Sequence, residues 1–201
     1  MSRVVCHQSL SLDGFSAGPG QSLEHPVGTG DVGRLHAWMF RADEPGHDAD
    51  AALRAELLRP IGAVVMGRNM FGPVRGEWPD ESWRGWWGEE PPYHAPVFVL
   101  THHRRPPLTT TGTTFHFVTG GFGEAFARAR EAAGEQDVRI AGGASTVRQA
   151  LAAGVVDELL LDVAPFLLGA GERLLDGVTE FPFTPVEVVH SPLATHVRYT
   201  R

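Results

Sequence analysis

The stretch Ile140-Ala141-Gly142-Gly143-Ala144-Ser145-Thr146 decides the fold. Val138 to Ala141 reads as a short buried strand, and Val147, Ala150 and Leu151 repeat at helical spacing until Gly154 stops them. Two glycines stand between strand and helix. Lacking a Cβ, they let backbone approach a ligand closely, and the helix start turns unpaired N–H groups and a positive dipole end toward a phosphate. Ser145 or Thr146 would serve equally as a plain helix cap, so taken alone the stretch is either a phosphate loop or a tight turn.

Working outward, the same strand-then-glycine pattern recurs. Ile61 to Met66 is an apolar run closed by Gly67-Arg68-Asn69, and Val97 to Leu100 runs into Thr101-His102-His103-Arg104-Arg105. Thr114 to Val118 leads through Gly120-Gly121 into a helix striped by Phe122, Ala125, Phe126 and Ala129, and Val156 to Ala164 is a further strand. Before them, Val4 to Leu12 is a first strand ending in an Asp13-Gly14 turn, and Gly18 to Gly33 is a Gly/Pro-rich loop. Val32, Leu35, Met39 and Ala42 predict a helix broken at Glu44-Pro45-Gly46, and Asp50 to Arg59 predicts a second, ended by Pro60. Pro73 to Pro96 is irregular and Trp-rich. Val186 to Val189 and Ala194 to Thr200 flank His190-Ser191-Pro192 as an antiparallel pair. Alternating strands and helices imply a mostly parallel sheet with antiparallel strands at one edge, a three-layer α/β fold over a single domain, 1–201.

Composition bounds the function. A chain of 201 residues buries roughly 70% of its unfolded surface and needs no staples. A net charge of −7 argues against nucleic acid as partner, since neutralising phosphates needs a basic face. The single cysteine, Cys6, forms no internal disulfide, which fits a cytoplasmic setting. No apolar run approaches the ~20 residues of a membrane span, and none follows a charged start as a signal peptide would.

Ligands of open α/β sheets bind beyond the carboxyl ends of strands. Arg68 is there either a planar phosphate clamp or a surface arginine after a turn. Thr101 to Arg105 suits the 2′-phosphate of NADP or is a solvated basic loop. Adjacent histidines make poor metal partners, and HExxH and cysteine pairs are missing, so no metal is expected. GxGxxG after the first strand, a P-loop and a GxSxG elbow are missing too, which argues against an ordinary Rossmann dehydrogenase.

These strand ends, in this order, resemble the dihydrofolate-reductase-like family, and most closely the C-terminal reductase domain of the riboflavin-biosynthesis deaminase-reductase. Ser9 to Phe15 is similar to that group's opening strand and S-L-D-G turn, and Val65-Met66-Gly67-Arg68 to its V-M-G-R loop. Ile140 to Ala144 matches the second phosphate loop, and Val156 to Leu159 with Ala164 to Gly171 matches its V-D-E-L and A-P-x-x-x-G-x-G segments. The resemblance spans nearly the whole chain.

It implies NADPH as cofactor and hydride transfer to a small heterocyclic substrate, pyrimidine- or pterin-like, as in 5-amino-6-(5-phosphoribosylamino)uracil reductase. It implies that Gly67, Arg68 and Asn69 hold the cofactor phosphates from one side and Gly142, Gly143, Ala144, Ser145 and Thr146 from the other. Thr101, His102, His103 and Arg104 would surround the 2′-phosphate, and Leu12, Gly14, Ser16 and Ala17 would lie along the nicotinamide. Asp13 is the candidate catalytic residue, against a turn-capping role before glycine. The chain also departs from the family. The folate-binding acid stands three positions before a helix tryptophan, and counting back from Trp38 reaches Leu35, which makes folate a poor substrate. Trp78, Trp83, Trp86 and Trp87 would roof a heterocycle cleft, pack the loop onto the body, or meet a second copy in a homodimer. His36 borders the same pocket and reads better as a half-exposed polar residue than as an acid. Two rival readings stay open: a flavin in the same cleft, and a non-catalytic dinucleotide-binding module.

Overall fold

In β1 (Val4–Ser11), side chains alternate between two faces, and both faces are covered. Val4, Cys6 and Leu10 enter one apolar cluster, while Val5 enters a second on the opposite side. A computed structural model describes residues 2–72 and 75–201. After β1 come β2 (Phe15–Ala17), a 3-10 turn (Val32–His36), α1 (Ala37–Phe40), α2 (Asp48–Leu57), β3 (Ala63–Gly67) and α3 (Arg68–Phe71). The second half holds β4 (Pro96–Leu100), β5 (Leu108–Thr110), β6 (Thr113–Val118), α4 (Gly121–Ala133), β7 (Val138–Gly142) and α5 (Ala144–Ala152). It closes with β8 (Glu158–Ala164), β9 (Glu172–Arg173), β10 (Thr184–His190) and β11 (Thr195–Thr200).

The main sheet has nine strands in the order β10-β11-β8-β1-β7-β3-β4-β6-β5. The run from β8 to β6 is parallel. β11 and β10 add antiparallel strands at one edge and β5 at the other. Helices α4 and α5 cover one face through Phe122, Ala125, Ala129, Val147, Ala150 and Leu151. The opposite face is covered in two parts, by α1 and α2 through Trp38 and Leu53, and by the Trp-rich segment through Trp78 and Trp83. This is the expected three-layer α/β fold.

Several elements differ from expectation. The helix expected through Ala42 is a 3-10 turn followed by one α turn, because Leu35 is drawn against Ala164 and Phe166 while Trp38 is drawn against Leu53, Leu160 and Ala194. Helix α2 starts at Asp48, which brings Asp50 inside it and fully buries it. β5, β2 and β9 are only three, three and two residues long, too short for alternation to register. Of the irregular segment from Pro73 to Pro96, the first two residues lie outside the described residues, Pro96 begins β4, and 75–95 contains neither helix nor strand. Indole N–H groups pin it instead: Trp78 donates to His103 O at 3.0 Å, Trp83 to Phe71 O at 2.9 Å and Trp86 to Asn69 O at 3.1 Å.

Gly62 marks the tightest approach between β3 and the end of α4. Its N–H donates to Asp137 O at 3.0 Å, and a Cβ there would stand 2.8 Å from the Ala133 Cβ and 2.9 Å from its Cα. Helix α4 would have to move away from the sheet to admit one methyl group. Gly62→Ala is therefore expected to destabilise the fold by about 1–3 kcal/mol, read as a lower urea midpoint with an unchanged slope. An unchanged midpoint would show that α4 yields freely.

Candidate active site

The carboxyl ends of the parallel strands open into one cleft of about 820 Å³. Gly67 ends β3, Thr101 follows β4, Thr119 follows β6 and Gly143 follows β7, and all line it. Gly142 has φ +111°, the left-handed region that disfavours other residues, while Gly143 has φ −69°. A Cβ on Gly143 would meet nothing within 4 Å, so the space above this peptide is open cleft. A Cβ on Gly67 would lie 2.8 Å from Thr146 Oγ1, so the two glycine loops close on each other only without side chains. Gly143 is the N-cap of α5 and no side chain caps that helix, so neither Ser145 nor Thr146 takes the capping role.

Arg68 stands beside these loops. Its Nη1 donates to Gly76 O and its guanidinium lies 3.7 Å from the centre of the Trp78 ring. Nε and Nη2 are buried without a hydrogen-bond partner, and among the described residues no carboxylate pairs with Arg68. Burial, with Arg75 and Arg105 nearby, lowers its pKa. Such a group is poised for an anion. Arg105 serves the fold instead, donating from Nη2 to Glu81 O at 2.8 Å and to Trp83 O at 2.6 Å, which pins the Trp-rich segment.

The structure brings most of the expected residues together. Gly67, Arg68 and Asn69 line the cleft, as do Thr101, His102 and His103, then Gly143, Ala144, Ser145 and Thr146, and Ser16 with Ala17. Leu12, Asp13, Gly14, Arg104 and Gly142 are not among its lining residues. Leu12 is 64% exposed and Arg104 is exposed on the surface, whereas Gly142 is buried under Gln8. The Asp13 carboxylate is occupied: Ser11 Oγ donates to it at 2.6 Å, Leu168 N–H at 3.0 Å and Gly169 N–H at 2.8 Å. These bonds, the Ser11 hydroxyl foremost, hold its carboxyl down at about 2. That arrangement clamps the loop after β8 to the first turn.

The other half of the cleft holds residues that sequence reasoning passed over. His7 and Ser9 of β1, Trp38 of α1 and Asp162 of β8 line it beside Tyr93 and Arg139. Asp162 accepts from His7 Nε2 at 2.8 Å, Ser9 Oγ at 3.1 Å and His196 Nδ1 at 2.7 Å. Trp38 Nε1 donates to Ser9 Oγ at 2.9 Å. His196 Nε2 then meets Asp50 at 3.1 Å, and Asp50 meets His47 Nδ1 at 2.8 Å. Both ring nitrogens of His196 face carboxylates, so an extra proton sits on this ring between them. Burial works against that charge, but Asp162 and Asp50 outweigh it and raise the His196 pKa. Burial likewise pushes Asp162 up, and His7 and His196 outweigh it and hold it low. His36 differs: burial lowers its pKa against the weaker pull of Asp162, and its ring makes no hydrogen bond among the described residues. The signal for this network was an aspartate inside Leu159-Leu160-Leu161-Asp162-Val163-Ala164, since a charge in a buried strand needs partners.

A mostly parallel sheet with glycine loops at its carboxyl edge and one long cleft defines a dihydrofolate-reductase-like α/β protein. The chain belongs to the RibD C-terminal domain family, whose pattern matches residues 2–192. Among solved structures it is similar to a putative riboflavin biosynthesis protein from Shewanella sp. PV-4, with 22% identity, a TM-score of 0.65 and coverage of 99% of this chain and 98% of that one. It is similar to a pyrimidine reductase-like protein from Corynebacterium diphtheriae, with 17% identity, a TM-score of 0.58 and coverage of 99% and 91%. Dihydrofolate reductase from Enterococcus faecalis, complexed with NADP(H) and RAB-propyl, matches with 15% identity, a TM-score of 0.50 and coverage of 99% and 96%. No curated protein matches the chain in sequence. Family and neighbours support a reductase of the riboflavin-pathway type. No helix among the described residues is long and apolar enough to cross a membrane.

The Asp13 clamp has a pH signature. Its carboxyl falls from the ordinary 3.8 to about 2 in the folded protein, so the clamp's stabilisation is complete above the unfolded value and is lost as pH falls through the folded one. Asp13→Asn should melt below the parent at neutral pH, and the gap should close between about pH 4 and pH 2. A gap that persists unchanged at the acid end would show that the carboxylate charge is not what holds the loop.

Proposed function

We propose that the protein is an NADPH-dependent reductase acting on a small planar heterocycle of the pyrimidine type, as the name of 5-amino-6-(5-phosphoribosylamino)uracil reductase describes for a Thermotoga maritima relative. This chain spans 56% of that relative's length. The observation that carries the reading is the buried Arg68 guanidinium, unpaired at Nε and Nη2, beside two loops that approach each other through glycine. An anionic group closing that gap satisfies it, and the open space over Gly143 admits a pyrophosphate. Gly67, Arg68 and Asn69 would hold the phosphates from one side and Gly143 to Thr146 from the other. Thr101, His102 and His103 would receive the 2′-phosphate, while Ser16 and Ala17 would flank the nicotinamide. When bound, the cofactor supplies the hydride. The chain's own residues do the rest: they orient the two reactants, and Trp38, Trp86, Trp87 and Tyr93 give the heterocycle aromatic surfaces to stack on and exclude water.

Thermal shift with NADPH, NADH, FMN and folate tests this. NADPH at 100 times its Kd is expected to add about 2.7 kcal/mol of apparent stability, with at least about tenfold weaker binding of NADH because of the 2′-phosphate site. Replacing His102 and His103 by alanine should erase the preference, and Gly143→Val should fold yet lose NADPH binding, since its branched Cβ stands in the cleft rather than in the core. Equal stabilisation by NADPH and NADH, or a Gly143→Val protein that titrates NADPH like the parent, would sink the assignment.

Dihydrofolate is expected to be a poor substrate. A pterin presents a donor pair to a buried carboxylate, and here Leu35 is buried against Ala164 and Phe166. The carboxylates nearby are engaged: Asp162 by His7, Ser9 and His196, and Asp50 by His196 and His47. Each donor left unpaired costs about 1–3 kcal/mol. Robust, methotrexate-sensitive oxidation of NADPH by dihydrofolate at about 340 nm would mean that one of these carboxylates is free in solution.

A further inference from the structure

Asp162 is the hub of a buried chain of titratable groups that starts in the cleft. The chain runs from His7 on β1 through Asp162 on β8, His196 on β11 and Asp50 on α2 to His47, which precedes α2. His7 and Asp162 both line the substrate half, with side chains 11% and 0% exposed, so His7 is the member that meets a ligand. Its ring is held by Asp162 through Nε2 and stacked on Trp38 at 5.5 Å and 18°. Glu56 of α2 adds a neighbouring negative charge. Three cations share the small crevice behind His7. Arg198 of β11 is bound by Glu56, Glu158 and Glu187, Arg59 pairs with Asp137, and Arg139 of β7 reaches the backbone carbonyl of Arg59. His36, the other imidazole in this half of the cleft, pairs with no carboxylate among the described residues.

We propose that His7 is the acid of this cleft, with Asp162 as its positioning residue. The step rests on the reductase reading above. A reduced nicotinamide dinucleotide gives hydride to the carbon of a C=N or C=O group, and the heteroatom needs one proton. Nε2–H of His7 is engaged by Asp162, so the proton transferred is the one on Nδ1 of the imidazolium. The π bond breaks, a C–H bond forms with the hydride's electron pair, and an N–H or O–H bond forms with the His7 proton. The dinucleotide is oxidised, the substrate is reduced, and neutral His7 regains a proton from water entering the cleft. Asp162 acts through His7: ionised, it accepts from Nε2 and fixes the ring, which leaves Nδ1 as the nitrogen free to serve a ligand. Protonated His196, set between Asp162 and Asp50, keeps Asp162 ionised.

Two measurements decide this. Nitrogen-15 histidine NMR of the whole protein without cofactor should show the neutral His7 ring with its proton on Nε2, facing Asp162, and Asp162→Ala should shift that tautomer balance. A His7 ring that is not held as the Nε2–H tautomer in the parent, or whose tautomer is unchanged in Asp162→Ala, overturns the proposal. In single turnovers of NADPH with 5-amino-6-(5-phosphoribosylamino)uracil, His7→Gln should slow NADPH oxidation about 100-fold. NADPH affinity should stay unchanged, and imidazole added to His7→Ala should restore part of the rate. A His7→Gln protein that keeps the parent's rate overturns the proposal while the reductase reading stands. A parent that binds no NADPH overturns the reductase reading and, with it, the proton step; the NMR result alone then decides whether Asp162 fixes the His7 ring.

Discussion

The half of the cleft opposite the glycine loops depends on one buried carboxylate. Asp162 collects hydrogen bonds from His7 and Ser9 on β1 and from His196 on β11, and Ser9 in turn holds the indole of Trp38 on α1. His196 passes the linkage to Asp50, so α2 is tied to the same strands. A single ionic chain thus fixes two helices against three strands on a face where apolar contact is thin: its buried cluster there is only Trp38, Leu53, Leu160 and Ala194. Removing one partner would leave a buried charge uncompensated, which costs about 3–5 kcal/mol in comparable cases. The chain is narrow in what it tolerates because every carboxylate oxygen in it already faces a histidine.

The parallel core was legible because it is written in apolar runs closed by glycine. Val64-Val65-Met66-Gly67 and Ile140-Ala141-Gly142 carry strand and ligand loop in the same few residues, and the structure pairs β3 with β7 there. The closing hairpin was legible locally too, from the Ser191-Pro192 turn between two β-rich runs. What could not be read was anything set by distant partners. His7 and Asp162 lie 155 positions apart, and β1 shows polar residues on both faces, so no alternation marked His7 as special. The Asp13-Gly14 turn was visible, yet its carboxylate is claimed by Leu168 and Gly169, which only the folded chain brings near. The first helix failed as an expectation because Leu35 and Trp38 sit at helical spacing while serving separate clusters.

The two halves of the cleft are made of different materials, and this bears on what the family likeness carries. The phosphate half uses backbone: glycines that allow close approach, an uncapped helix start and one stacked arginine. Such features survive wide divergence, because many sequences around them give the same backbone path. That fits a match spanning 98% of the Shewanella chain at 22% identity. The opposite half uses side chains from β1, α1, α2, β7, β8 and the Trp-rich segment, where identity decides chemistry. Trp38, Tyr93, His7 and Arg139 line it as individuals, so a change at any of them alters the pocket's chemistry directly. Fold likeness therefore carries the glycine-loop half further than the opposite half. What binds in the opposite half has to be sought from that half's own chemistry rather than from the sheet: aromatic rings from α1 and the Trp-rich segment beside a histidine and two engaged carboxylates.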